Sequence, residues 1–197
     1  FGGTGSPSFL SVTETYDGTS YTTSPASLAS GRNNLGGDGG NNAYLAVGGN
    51  VSGPAKTSNT EEYNQSSTVI TGAVFATGGT ANTARRQMGY TTNSPQNDFM
   101  GYGGFSPGGF INNSETYNGA SWSEGNNLNE SKGQLAGAGT SSSAALAFGG
   151  NGSNANTEEY NGTSWSEQNN MNTGRYELGG AGTQTAGLAV ASESASS

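Results

Sequence analysis

The sequence of 197 residues contains neither cysteine nor histidine. Without cysteine no disulfide can form, so the chain carries no signature of an oxidising compartment. Zinc, copper and haem sites that depend on imidazole or thiolate ligands are excluded as well. The same holds for Ser-His-Asp and Cys-His nucleophilic systems, which need a histidine base. The two absences therefore exclude the most common hydrolytic and transition-metal sites.

Charged residues and long apolar runs are also scarce. Only 10% of the residues are charged and the net charge is −8, whereas binding to nucleic-acid phosphates needs clustered Lys and Arg. No run of about 18 apolar residues occurs that could form a membrane-spanning helix. We therefore expect no nucleic-acid partner and no membrane insertion. Because the chain begins at Phe1 and shows no signal peptide, we expect a processed protein or a piece of a longer one.

Glycine is abundant, with 35 residues, while only 30% of the sequence is hydrophobic. The nine tyrosines, seven phenylalanines and two tryptophans recur at ordered positions. This composition favours many short strands joined by tight turns over disorder. No segment is typical of a helix. Stability should then come from backbone ladders and from small packed aromatic clusters.

The chain repeats one pattern four times, in units at approximately 1–46, 47–101, 102–147 and 148–197. A Gly-Gly pair is followed by Glu-x-Tyr, by a basic residue and by an apolar run that leads to the next Gly-Gly. The repeated residues are the glutamates Glu14, Glu61, Glu115 and Glu158, the tyrosines Tyr16, Tyr63, Tyr117 and Tyr160, and the basic residues Arg32, Arg85, Lys132 and Arg175. Three units add an aromatic after an Asp-Gly or Asn-Gly turn, at Tyr21, Trp122 and Trp165. A period of this size is typical of propeller blades.

The turn at Asn161-Gly162 predicts a β-hairpin, since such a pair suits a two-residue turn. With that turn, Tyr160 faces Thr163 and Glu158 faces Trp165. Glutamate, tyrosine and tryptophan then share one face, which we expect to be buried. A buried glutamate is costly unless it is paired. We therefore expect each repeated glutamate to pair with one of the repeated basic residues, and the four tyrosines and both tryptophans to be largely buried.

A Gly-Gly after an apolar strand, followed by a spaced Tyr and a spaced Trp, resembles the kelch repeat. Met171 and Arg175 also match the Met-x-x-x-Arg that often follows. The resemblance covers essentially the whole chain, although the second unit has Asn64-Gln65 at its turn and no tryptophan. It implies an all-β fold, a kelch-like β-propeller in which each unit is spread over a blade boundary.

Counting strands on that basis gives four blades of four short antiparallel strands. The fourth blade would combine strands near 11–23 with strands near 176–191 and so remove free sheet edges. The alternatives are an open slice of a larger propeller and closure with a neighbouring copy.

The acidic residues also admit a chemical interpretation. Two of the repeated glutamates could form the carboxylate pair of a glycoside hydrolase, but a catalytic pair would break the symmetry of the repeat. Asp38 in GGDGG could bind calcium through oxygen atoms, or could simply occupy a turn. Kelch propellers that oxidise alcohols hold copper through histidines, which this chain lacks. We therefore expect no catalytic residues, no metal, no cofactor and no enzymatic activity.

The units differ mainly in the loops that follow each Gly-Gly, at 4–10, 50–59, 105–113 and 151–156. Variable loops on a regular scaffold are where recognition usually occurs. Phe9, Phe105 and Phe110 lie in these loops and could stack on sugars or anchor a protein. Alternatively, they cap the ends of the blades.

Gly/Asn/Thr-rich kelch-like repeats of this kind also resemble those in tail or fibre proteins of environmental phages. This resemblance implies a virion or extracellular location and a structural or binding module that presents loops to a host surface or carbohydrate. Its partners would be other virion or surface proteins, a cell-surface glycan, or further copies of the chain. The alternative is a cellular or secreted kelch propeller that acts as a protein–protein interaction scaffold.

Overall fold

The computed structural model describes residues 1–5, 9–40, 43–51, 56–64 and 74–190. Within these ranges the chain is all-β, and its helical content is a single 3-10 turn at Gln96–Asp98. This confirms the all-β prediction. In the same ranges, no helix is long and apolar enough to cross a membrane.

The strands form small antiparallel sheets in chain order. An N-terminal hairpin comes first, β1 (Glu14–Tyr16) with β2 (Tyr21–Thr23). The first four-stranded sheet follows, with β3 (Gly36–Gly40), β4 (Ala43–Val47), β5 (Thr60–Asn64) and β6 (Val74–Thr77). The second four-stranded sheet and its inserted hairpin comprise β7 (Gly89–Tyr90), β8 (Phe99–Tyr102), β9 (Phe105–Ser106), β10 (Gly109–Phe110), β11 (Ser114–Tyr117) and β12 (Trp122–Glu124). The third four-stranded sheet and the C-terminal hairpin comprise β13 (Ala136–Ser141), β14 (Ala144–Phe148), β15 (Thr157–Tyr160), β16 (Trp165–Gln168), β17 (Gly179–Thr183) and β18 (Ala186–Val190).

Each four-stranded sheet crosses a boundary between repeat units. Its first two strands precede a Gly-Gly pair and its last two follow it, with β4 pairing with β5, β8 with β11 and β14 with β15. Each of these sheets thus combines strands from two successive repeat units. The two terminal hairpins each correspond to half of such a sheet. β17–β18 occupies the repeat position of the strand pair before a Gly-Gly, and β1–β2 is the pair that follows Gly2-Gly3.

These two terminal hairpins lie in separate two-stranded sheets. Within the described ranges, the edge of β1 and the edge of β18 that are paired in a complete sheet carry no partner strand. The structure therefore does not show the predicted sheet that combines strands near 11–23 with strands near 176–191. The described residues form three four-stranded sheets, the two terminal half-sheets and the separate two-stranded hairpin β9–β10.

The hairpin turns contain four residues, where the sequence predicted two. Tyr160 pairs with Trp165, and Asn161 N–H donates to the Ser164 carbonyl at 3.3 Å. The Asn161 side-chain oxygen accepts the N–H groups of Thr163 at 2.9 Å and Ser164 at 3.0 Å. An Asx turn of this kind competes with the two-residue turn that Asn-Gly otherwise favours. The turns after Asp17 and Asn118 follow the same pattern.

The change of register does not alter which side chains were predicted to share a face. Trp165 lies opposite Tyr160 rather than Glu158, a shift of two residues, which is one side-chain period of a strand. Glu158, Tyr160 and Trp165 therefore still share a face. Tyr160 and Trp165 are both 6% exposed, as predicted.

Burial of the other repeated aromatics depends on a complete sheet. Tyr63 and Tyr117 are buried as predicted, and Trp122 is partly buried. Tyr16, however, is 46% exposed and Tyr21 is 72% exposed, so the prediction is wrong for Tyr16. In complete sheets the inner strand supplies a packing neighbour, as Tyr44 does for Tyr63 with ring centroids 4.3 Å apart. Among the described residues, the N-terminal hairpin has no such inner strand.

The core is divided into clusters between neighbouring sheets. One cluster, between the first and second four-stranded sheets, contains Leu45, Val47, Met88, Phe99 and Tyr117. The next, between the second and third sheets, contains Met100, Tyr102, Leu128, Leu135, Ala145, Ala147, Tyr160 and Trp165. A third joins the third sheet to the C-terminal hairpin through Ala136, Ala138, Phe148 and Leu178. Small separate clusters agree with the low hydrophobic content.

Candidate functional site

Each Gly-Gly pair is fixed against the basic residue of its own unit. The first glycines, Gly2, Gly48, Gly103 and Gly149, have φ of 69°, 64°, 60° and 72°. A Cβ at Gly103 would lie 2.5 Å from the carbonyl oxygen of Lys132, and the other three are as crowded against their own basic residue. The second glycine donates its N–H to the same carbonyl, as Gly104 does to Lys132 at 2.8 Å. The glycines thus serve a close backbone approach at the entry to each loop.

The basic side chain reaches into the next unit. Arg85 Nη1 donates to the Gly103 carbonyl at 3.1 Å and to the Asn113 carbonyl at 2.7 Å, and Nη2 forms an ion pair with Glu115. Arg32 makes the same three contacts, with the carbonyls of Gly48 and Asn59 and with the carboxylate of Glu61. In the third unit, Lys132 Nζ lies 2.8 Å from Glu158 Oε1. All six side chains of these ion pairs are buried.

Each buried glutamate also accepts a backbone hydrogen bond from the loop that precedes the basic residue. Its second oxygen accepts the N–H of the residue three positions before the cation: Ala29 at 2.8 Å, Asn82 at 2.7 Å and Asn129 at 2.8 Å. Burial lowers the pKa of Arg32 and Arg85, and the charge of the paired glutamate opposes this. The predicted pairing is therefore confirmed at Glu61, Glu115 and Glu158.

A fourth pair is not found among the described residues. Glu14 is exposed, Arg175 is partly exposed, and neither forms an ion pair with any described residue. Their positions explain this: Arg175 is the last basic residue of the repeat and Glu14 is the first glutamate, so each lacks the neighbouring unit that completes the other pairs.

Asp38 has a structural role that the sequence did not indicate. It lies within β3, and its Oδ2 accepts hydrogen bonds from the N–H and the hydroxyl of Ser94, both at 2.7 Å. Burial raises the pKa of Asp38, although the Ser94 donors oppose the shift. Among the described residues, no three acidic side chains come together as a metal site would require. Asp38 thus connects the first four-stranded sheet to the second.

The loops that follow the Gly-Gly pairs meet one another and form what we call the loop rim. It comprises the described parts of the four loops, 4–5 with 9–10, 50–51 with 56–59, 105–113 and 151–156. Asn33 connects the first two loops, donating to Thr4 Oγ1 at 2.9 Å and accepting from Asn50 Nδ2 at 3.2 Å. Gly133 connects the last two: it donates to Asn151 Oδ1 at 3.0 Å, and a Cβ on it would meet the ring of Phe110.

A polar cavity of about 280 Å³ lies beside the loop rim and is lined by all four units. Its polar lining residues share a positive φ and are Asn34, Gln87, Gln134 and Glu177. Glu177 Oε1 accepts from Gln87 Nε2 at 3.0 Å and from Gln134 Nε2 at 2.8 Å. Positive φ is uncommon for residues other than glycine. The sequence analysis missed these four positions, although each lies two residues after a basic residue.

The structure brings together two of the three predicted loop aromatics. Phe105 and Phe110 face each other across the hairpin β9–β10, with ring centroids 5.2 Å apart and planes at 78°. Phe110 is 38% exposed and Phe105 is partly buried. Phe9 is partly buried in the first loop, where it forms a bridge with Thr4, apart from the other two.

Two cations that the sequence analysis missed lie over the Phe105 ring. Lys56 Nζ is 5.2 Å and Arg86 Cζ is 4.9 Å from the ring centroid. Neither side chain forms an ion pair or hydrogen bond with a described residue, and Arg86 Nε is buried without an acceptor. We call Lys56, Arg86, Phe105 and Phe110 the cationic aromatic cluster. The only signal in the sequence was a second arginine directly after the repeated one.

Compared with known proteins, the chain matches no protein-family model and no curated protein. The likeness to kelch repeats therefore rests on the motifs themselves.

Proposed function

We propose that this chain is a non-enzymatic structural and binding module of a virion appendage, and that its loop rim contacts a carbohydrate on a host surface. The loop rim supports the binding role, because its four variable loops lie together beside a polar cavity. The virion setting is supported by the resemblance of the repeats to those of phage tail and fibre proteins.

Contacts between the described parts of the loop rim support this role. Hydrogen bonds through Asn33 and Gly133 connect neighbouring loops, and the Gly-Gly contacts fix the start of each loop. Loops that are already ordered lose less conformational entropy on binding. Exposed Phe110 supplies the flat apolar surface that a sugar ring can stack on, and side-chain amides nearby can bind hydroxyl groups.

We further propose that the four units form a kelch-like propeller of four blades, closed by the two terminal hairpins. The two half-sheets are complementary, because β17–β18 is an inner pair without an outer pair and β1–β2 is the reverse. Arg175 and Glu14 are likewise the two unmatched members of the repeated ion pair. By the geometry of the other units, Arg175 would contact the carbonyls of Gly2 and Val12 and the carboxylate of Glu14.

A designed disulfide tests this closure. The register of β14 with β15 pairs Leu146 with Glu159, and the equivalent residues in the terminal hairpins are Leu188 and Thr15. We expect Leu188→Cys combined with Thr15→Cys to form an intramolecular disulfide under mild oxidation, since directly opposed residues of antiparallel strands lie within disulfide range. The chain has no native cysteine, so non-reducing electrophoresis and mass spectrometry report this bond alone.

The matched control replaces Leu188→Cys by Ala189→Cys while keeping Thr15→Cys. Its cysteines should not react within one chain, because successive strand residues point to opposite faces. Disulfide-linked dimers or longer chains from the Leu188 pair would instead show that neighbouring copies complete the sheet. The absence of any Leu188–Thr15 disulfide would refute closure by these strands.

Binding of the purified chain to an array of immobilised glycans tests the proposed function. We expect saturable binding to at least one glycan class, and a loss of that binding in Phe110→Ala, because Phe110 is the exposed ring of the loop rim. Immunogold labelling with an antibody to the chain should mark an appendage of virus particles. A chain that binds no glycan but captures a protein through Phe110 would favour the interaction-scaffold alternative.

A further inference from the structure

We propose that the cationic aromatic cluster binds a carboxylate-bearing saccharide, with Arg86 on the carboxylate and Phe110 against the sugar ring. This inference rests on the proposed function and names the class of carbohydrate that the loop rim would recognise.

The distribution of positive charge is the first support. The chain has six Lys and Arg residues and a net charge of −8. Arg32, Arg85 and Lys132 each form a buried ion pair with a glutamate of the repeat. Of the remaining three cations, Lys56 and Arg86 both lie within about 5 Å of the Phe105 ring centroid.

Two like charges this close repel each other unless an anion lies between or beside them. Because both cations contact one ring, they are within about 10 Å of each other, the range over which physiological salt leaves charges incompletely screened. No carboxylate among the described residues pairs with either of them. In a chain with a large excess of acidic residues, this placement favours a ligand that brings its own negative charge.

The guanidinium of Arg86 is the second support. The Arg86 side chain is partly exposed and forms no ion pair with a described residue, so its guanidinium is available to an anionic ligand. The guanidinium is held in place by its stacking over Phe105 and by the backbone bridge between Arg86 and Phe105, with N···O distances of 3.1 and 2.8 Å. A fixed guanidinium presents a planar fork of donors that matches a carboxylate.

The aromatic pair is the third support. Phe105 and Phe110 belong to a hairpin closed by Pro107 and Gly108, so their relative position is set by a tight turn and by two cross-strand pairs. Phe110 is 38% exposed, and its ring centroid lies 5.2 Å from that of Phe105, the ring that both cations contact. One exposed ring next to a charged fork fits a pyranose that carries a carboxylate, because the C–H face of the sugar covers the ring while its charge reaches Arg86.

Polygalacturonate and its methyl ester are suitable probes, because esterification removes the charge and keeps the sugar. We expect the wild-type chain to bind polygalacturonate, measured by affinity electrophoresis at low ionic strength, and to bind the methyl ester at least about tenfold more weakly. A loss of tenfold or more is expected because hydrogen bonds to charged groups contribute at least that factor. Binding should weaken as salt is raised.

Substitutions of Arg86 and Phe110 then test whether these residues contact the saccharide. Arg86→Gln and Phe110→Ala should each weaken binding to polygalacturonate about tenfold, and Arg86→Lys should fall between wild type and Arg86→Gln, because it keeps the charge and loses the fork. The matched control is Arg175→Gln, which removes an equal charge outside the cluster and should leave binding unchanged. Circular dichroism confirms that each variant is folded.

The outcomes separate this inference from the proposed function. Equal binding of the ester and the acid, or no effect of Arg86→Gln, would overturn the inference and leave glycan binding intact. Binding to sulfated saccharides alone would overturn the assignment of a carboxylate. If the chain binds neither polygalacturonate nor any glycan of the array, the proposed function fails together with the inference.

Discussion

Replacing Arg85 by Met should destabilise the chain by about 3–5 kcal/mol, because the change leaves the Glu115 carboxylate buried without its cation. The same change removes the Arg85 donors that bind the carbonyls of Gly103 and Asn113, at the two ends of the loop 105–113. Chemical denaturation followed by tryptophan fluorescence measures the loss. Natural domains are stable by only about 5–15 kcal/mol, so a large part of the folding free energy is involved.

The second half of this test is the double variant Arg85→Met with Glu115→Leu. Removing both charges avoids a lone buried ion, so we expect the double variant to be more stable than the sum of the two single changes predicts. If the two changes are simply additive, Arg85 and Glu115 are not coupled and the ion pair does not hold the units together.

Arg175→Met is the informative comparison, because Arg175 occupies the same position of the repeat. If Arg175 pairs with Glu14 in the closed propeller proposed above, its loss should cost nearly as much as that of Arg85, about 3–5 kcal/mol, and this cost should be largely removed in a Glu14→Leu background. A cost within about 0.5 kcal/mol, the usual range for a surface change, would instead show that Arg175 and Glu14 do not meet and would count against closure.

The repeat predicted more of this structure than the composition did. The all-β fold followed from the composition and the turn signals, the three buried ion pairs from the repeated Glu and basic residue, and the spread of each unit over two sheets from the resemblance to the kelch repeat. Those features are local to a unit and its neighbour, so a repeated pattern specifies them. The burial expected for Tyr16 and the ion pairing expected for Glu14 are not found among the described residues, because both belong to the first unit and no other described unit packs against them there.

Turn geometry and the loop rim were less predictable. Asn161-Gly162 favoured a two-residue turn, but the Asn161 side chain accepts two backbone N–H groups and stabilises a longer loop. Lys56 and Arg86 are far apart in the sequence and meet only because the loops of neighbouring units converge on Phe105. Such contacts between loops that differ from unit to unit carry no periodic signal.

Replacing Trp165 by Ala should cost about 3–5 kcal/mol, the range for a large aromatic removed from a packed site. Trp165 is 6% exposed, meets Tyr102 edge to face with ring centroids 4.8 Å apart, and donates its indole N–H to Ser114 Oγ at 3.1 Å. It thus joins the third sheet to the second, and its removal leaves a cavity between them together with an unpaired Ser114. Thermal and chemical unfolding both measure the loss.

Trp122 is the matched control, because it occupies the same position of the preceding unit but is only partly buried. Its indole N–H donates to Thr60 Oγ1 and to the Gly79 carbonyl, both at 3.1 Å, so it bridges the second sheet to the first. Trp122→Ala should cost less than Trp165→Ala, since less surface returns to water. Iodide should quench Trp122 in the Trp165→Phe variant more strongly than it quenches Trp165 in Trp122→Phe. Equal quenching of the two tryptophans would contradict the deeper burial of Trp165, which results from the packing of the third sheet against the second.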